Sequence, residues 1–108
     1  MDKRGFTRLR LASKAAIRTR GAVVLGTVDN ISMSGVFVCA RADVQVGDRS
    51  EISLHLPNVS SRSTVVVDGI VVRVEEQGIA YRFQNLHFET FGLLRAILQN
   101  KSLLSQVA

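Results

Sequence analysis

Strand periodicity runs through most of this chain, broken at short intervals by turn residues, and helical periodicity occurs in a single stretch near the end. Residues 12–19 and 22–31 read as two strands joined at "TRGA", where Gly21 supplies the turn. A polar turn at 32–35 leads into the apolar run "VFVCA", and "VQVGDRS" turns the chain again. In "EISLHLP", Ile52, Leu54 and Leu56 face one way and Ser53 and His55 the other. After a polar loop at 57–63, "TVVVDGIVVRV" is a long β-branched strand in which Gly69 predicts a bulge or bend. "EEQG" then turns the chain into "IAYRF". Six short strands at such regular spacing predict a mainly β fold, a small closed barrel or roll. Closure leaves no free sheet edge to template aggregation.

The period then changes. Phe88, Phe91, Leu94 and Leu98 recur at helical spacing, with Asn85 as the expected N-cap and Glu89 complementing the dipole of the first turn. Gly92 costs this helix about 1 kcal/mol relative to alanine. Beyond it lies a short apolar tail, Leu103, Leu104 and Val107. The 108 residues suffice for one core and contain no linker or repeat. We therefore read 1–108 as a single domain: an arm at 1–10, a barrel at 11–84 and a helix at 85–105. Cys39 lies in an apolar run and reads as a buried thiol.

Enzyme chemistry finds no foothold. His55 and His87 lack acidic or nucleophilic partners, and neither they nor Cys39 have metal-ligand spacing. There is no glycine-rich phosphate loop, and the one pair of adjacent carboxylates, Glu75 and Glu76, reads as turn charge. No charged n-region leads into an apolar h-region, and the longest apolar runs are far too short to span a bilayer, so a bacterial cytoplasmic domain is expected. We expect no catalytic residue, no metal and no cofactor.

Charge carries more information. The net charge is +5, and Lys3, Arg4, Arg8, Arg10, Lys14, Arg18 and Arg20 all fall in the first twenty residues against Asp2 alone. An anionic partner follows from this asymmetry. Arg4 and Arg8, with Phe6 between them, suit an extended arm whose two guanidinium groups converge on one ligand. The planar fork matches a phosphate or the O6/N7 edge of guanine, and it stacks on bases as lysine cannot. In "DNISMSG", Asn30, Ser32 and Gly35 make a polar turn. Such a turn is expected to point Asn30 and Ser32 out of the barrel, with their hydrogen-bonding atoms available to a ligand. Gly35 would let a flat ring approach the backbone.

The two stretches together, R-x-x-x-R at Arg4 and Arg8 and N-x-S-x-x-G at Asn30, Ser32 and Gly35, resemble the signature of the PilZ domain family. A "VGD" turn, a strand ending in "LP", a "GIVVRV" strand, a "GIAYRF" strand and a closing helix extend the resemblance over nearly the whole chain. It implies a six-stranded antiparallel β-barrel with a C-terminal α-helix. It also implies a non-enzymatic receptor for the bacterial second messenger cyclic di-GMP, which signals to a protein partner. Arg4 and Arg8 would grip phosphate and guanine, Asn30 and Ser32 would hydrogen-bond guanine or ribose-phosphate atoms, and Gly35 would allow close approach. Asn30 stands where many members have Asp. Lys3 stands where many have a further Arg, a position that bears on whether one or two ligands bind. The other readings are a ligand-independent adaptor on the same barrel and a small basic barrel binding nucleic acid. Aromatic content of 6% leaves few stacking platforms for the latter. The four cations of the arm repel one another, so the arm is expected to become ordered only around an anionic ligand.

Overall fold

The computed structural model of the chain describes residues 9–55 and 64–99. Six strands and one helix follow in order: β1 (Leu9–Thr19), β2 (Ala22–Ile31), β3 (Gly35–Cys39), β4 (Arg49–His55), β5 (Thr64–Val74), β6 (Ile79–Gln84) and α1 (Phe88–Gln99). The strands close into an antiparallel barrel in the order β1-β2-β3-β6-β5-β4, with β4 returning to β1. The mainly β, six-stranded architecture with a C-terminal helix is the one expected. Leu56, the loop at 57–63, the arm residues 1–8 and the tail at 103–107 lie outside the described residues.

Alternation dictates what fills the barrel. Ile17 of β1, Val28 and Ile31 of β2, Val36 and Val38 of β3, Ile52 and Leu54 of β4, Val67 and Val71 of β5, and Ile79 and Tyr81 of β6 form one buried cluster. The β1–β2 hairpin turns on Arg20 and Gly21, both with positive φ (52° and 78°), as a two-residue turn matching strand twist requires. Helix α1 packs against β5 and adds Leu94, Ile97 and Leu98 to the core.

Five expectations are corrected. First, the period-2 pattern of β3 sends Val36 and Val38 inward and leaves Cys39 exposed, although "VFVCA" is apolar throughout. Second, the helix meets the barrel with its second half, so Phe88 is 91% exposed and Phe91 44% exposed. Third, Asn85 is not the N-cap. It adopts a left-handed φ of 50°, which Asn tolerates, and it is the His87 carbonyl that accepts the bond from Phe91 N–H (2.8 Å). Fourth, the sheet register runs unbroken through Gly69, and the irregularity falls between Val71 and Arg73. A Cβ at Gly69 would meet Ile52 Cδ1 at 2.9 Å and the Tyr81 ring at 3.1 Å, so this glycine makes room for the Tyr81 side chain. Fifth, the first strand takes in Leu9 and Arg10, which the sequence assigned to the arm.

The loop before β4 is tied down by Asp48. Its carboxylate accepts from Gln45 N–H (2.9 Å) and from Arg20 (3.1 Å), while its carbonyl accepts from Val71 N–H (2.8 Å). The Gln45 amide first, and then the Arg20 guanidinium, hold the Asp48 carboxyl below its ordinary value. A depressed folded-state pKa means that this contribution is complete above the ordinary carboxylate range and is lost as pH falls through the folded value. Asp48→Asn is therefore expected to flatten the fall in melting temperature from about pH 5 downward. A variant with the wild-type acid slope, measured by thermal denaturation across that range, would show that other carboxylates carry it.

Candidate functional site

The polar turn is locked from inside. Ser32 is fully buried (0% exposed). Its Oγ lies 3.0 Å from Ser34 Oγ and accepts from Ser34 N–H (3.2 Å), and its own N–H donates to the Gly35 carbonyl (2.9 Å). The Ser34 carbonyl then accepts from Phe83 N–H (2.9 Å), which ties the turn to β6. The expectation that Ser32 points outward is thus corrected: a Ser side chain mimics a backbone turn here, and burial follows from the bonds it makes. Ser32→Ala is expected to cost about 1 kcal/mol of stability without any ligand, seen as a melting temperature lower by roughly 4–8 °C. An unchanged melting temperature would mean that the hydroxyl does not hold the turn.

Gly35 is required by close approach and not by φ. A Cβ there would overlap the Tyr81 carbonyl oxygen on β6. Tyr81 is itself buried, and its hydroxyl donates to Ser50 Oγ on β4 (3.0 Å). Burial pushes the Tyr81 phenol above its ordinary value. The glycine of the turn therefore sits directly on a residue that spans the barrel.

Asn30 lies just before this turn, on the outer face of β2. Its register partner on β3 is Phe37 and on β1 is Arg10. A bulge at Asp29 interrupts the β2–β3 register, as happens often beside ligand sites, where it re-aims a side chain. Asn30 Nδ2 donates to Asp29 Oδ2 (2.7 Å), and the Arg10 guanidinium lies 3.5 Å from Asp29 Oδ1. An open pocket of about 870 Å³ spreads from Asp29 and Asn30 over Gly35 and Phe37 to Arg73 and Arg82. That volume is in the range of sites for small organic ligands, about 300–1,000 Å³.

Two of the expected site residues, Asn30 and Gly35, line this pocket, and Ser32 supports it from below. Lys3, Arg4 and Arg8 lie outside the described residues. Their attachment point is described, however. Leu9 pairs with Ile31 and Arg10 with Asn30, so the segment that carries Arg8 joins the barrel directly beside the turn. Sequence reasoning missed Asp29, Phe37, Arg73 and Arg82. Only the outward position of Phe37 and Arg82 was available in the strand alternation; the bulges that place Asp29 and Arg73 leave no mark in the pattern.

A closed six-stranded antiparallel barrel followed by a C-terminal helix, with a polar turn and an open pocket on its outer wall, defines a class of small β-barrel domain. The family model of the PilZ domain matches residues 2–100, and the chain belongs to that family. Among solved structures it is similar to the Bacillus subtilis inhibitor of motility MotI/DgrA (16% identity, TM-score 0.78, 95% of this chain and 52% of that one). It is also similar to the PilZ domain of Escherichia coli YcgR with c-di-GMP (12% identity, TM-score 0.76, 97% of this chain and 95% of that one). The longer YcgR chain in complex with c-di-GMP gives 14% identity and a TM-score of 0.80, over 98% of this chain and 49% of that one. The chain thus spans about half the length of MotI/DgrA and of the longer YcgR. No curated protein matches it. Among the described residues no helix is long and apolar enough to cross a membrane, and no group of His, Cys, Asp and Glu is placed to hold a metal.

Proposed function

We propose that this chain is a cyclic di-GMP receptor domain that acts by binding and not by catalysis. The observation that supports the reading is the β1–β2 register: Leu9 pairs with Ile31 and Arg10 with Asn30, so the strand that follows the R-x-x-x-R motif starts beside the N-x-S-x-x-G turn. In this reading the two motifs, some twenty residues apart in sequence, serve one pocket. Arg4 and Arg8 grip phosphate and guanine from the arm, with Lys3 beside them. Asn30 reads a guanine or ribose-phosphate atom. Ser32 and Gly35 shape the turn that presents it. The residues before Leu9 act as the ligand-binding arm, the six strands from Leu9 to Gln84 as the barrel and α1 as the closing helix of one domain in the cytoplasm. Closure of arm and turn around the ligand would be the change that a protein partner detects.

Membership of the PilZ family supports the ligand, as does the cyclic di-GMP bound by the YcgR domain of like fold. Isothermal titration with cyclic di-GMP, its linear dinucleotide, GTP and a single-stranded oligonucleotide tests the proposal. Saturation by cyclic di-GMP alone is the expected result. No binding to any of the four would favour a ligand-independent adaptor, and binding to the oligonucleotide alone would favour a nucleic-acid barrel.

A further inference from the structure

The sheet register sets out the outer wall of the pocket in two adjacent rows. Residues directly opposite on paired strands share a face, as do residues two apart on one strand. The first row runs Asn30 on β2, Phe37 on β3, Ala80 on β6 and Arg73 on β5. At one strand spacing per step it spans roughly 14 Å. The bulge between Val71 and Arg73 turns Arg73 onto this face. The second row places Arg82 on β6 between Gly35 on β3 and Ile70 on β5.

The two arginines differ in charge balance. Arg73 is ion-paired with Glu75. Arg82 is exposed, lines the pocket, and has no ion-pair or hydrogen-bond partner among the described residues. Among the described residues nothing neutralises this cation, and the glycine beside it puts no side chain in its way. In the neighbouring row the Ala80 methyl and the Phe37 ring, which reaches toward Gly78, form an apolar floor suited to a flat ring. A planar base resting on that floor would turn an edge toward the Arg82 row.

We propose that Arg82 is a specificity-determining residue of this site, donating both arms of its guanidinium to the O6 and N7 acceptors of a guanine. The inference rests on the receptor reading above and adds to it a residue outside both motifs. Adenine offers a donor where guanine has O6, so the same fork rejects it. The nucleobase preference of the pocket then comes from the third wall, β6, and not from the arm and turn alone.

The test compares cyclic di-GMP with cyclic di-AMP by isothermal titration on the full chain. Arg82→Ala should weaken cyclic di-GMP binding about tenfold or more and narrow the preference over cyclic di-AMP by the same factor. Its melting temperature without ligand should match wild type, because the side chain is exposed. Arg82→Lys should fail to restore affinity, since a point charge cannot make the paired bonds. Arg95→Ala, which removes an exposed cation from α1, should bind as wild type. Wild-type affinity in Arg82→Ala would overturn the proposal, and wild-type affinity in Arg82→Lys would replace the guanine contact with a simple charge effect. A wild-type chain that binds neither dinucleotide would instead remove the receptor reading itself.

Discussion

Gly35→Ala is expected to lower the melting temperature of the unliganded domain by roughly 15 °C, corresponding to about 3 kcal/mol. The added methyl would overlap the Tyr81 carbonyl oxygen, which is backbone and cannot swing aside as a side-chain tip can. Relief requires that β3 part from β6 at the Gly35–Arg82 and Val36–Tyr81 pairs, at the edge of the turn locked by Ser32. Tyr81 would move with it, disturbing its contact with Gly69 and its bond to Ser50. Gly92→Ala is the contrasting case. A methyl there meets nothing within 4 Å, and alanine is the better helix former, so stability should rise by about 0.5–1 kcal/mol. Thermal denaturation of the two variants should therefore move in opposite directions. If Gly35→Ala kept its melting temperature and lost only the ligand, the glycine would serve ligand approach and not the sheet.

The structure adds a second demand at a residue that the resemblance made a place of ligand approach. Position 35 calls for a glycine in either role, and a one-dimensional pattern cannot say whether a base or a carbonyl comes close. Ser32 raises the same difficulty. A Ser in a polar turn has the same letters whether its hydroxyl faces a ligand or closes the turn, and in this structure the buried hydroxyl closes the turn. The barrel was readable because its determinants are local: alternation assigned Ile52 and Leu54 to the core, and the breakers at Gly21 and Gly78 marked the hairpins. Failures came where a residue's fate depends on something far away in sequence. Cys39 is exposed because Val36 and Val38 took the inward positions, and Phe88 because the apolar residues that α1 gives to the core, Leu93, Leu94, Ile97 and Leu98, lie in its later turns. The outer wall was the least readable part. Asn30, Phe37, Ala80 and Arg73 come from four strands and fall into one row only through the register and its two bulges.

For the arm the decisive substitution is Arg8→Lys, expected to weaken cyclic di-GMP binding between about tenfold and a hundredfold while leaving the net charge at +5. The reasoning begins at the strand. Arg8 directly precedes Leu9, and Leu9 pairs with Ile31 at the end of the strand that carries Asn30. In the receptor reading residue 8 meets the ligand, and what its side chain offers there is a matter of chemistry. A guanidinium gives two parallel N–H donors and a flat face; an ammonium gives one compact charge. If the ligand takes only charge, lysine serves as well. If it takes a bidentate bond or a stacked plane, lysine loses it while keeping the electrostatic attraction. The salt dependence of the remaining binding should then match wild type, because the same number of cations face the phosphates. Thermal shift provides a second reading of the same loss. A hundredfold excess of ligand over its dissociation constant adds about 2.7 kcal/mol to wild type, and the same ligand concentration should add markedly less to Arg8→Lys. Equal affinity and equal thermal shift in the two proteins would show that the arm contributes charge alone, and the assignment of Arg8 as a fork would be withdrawn.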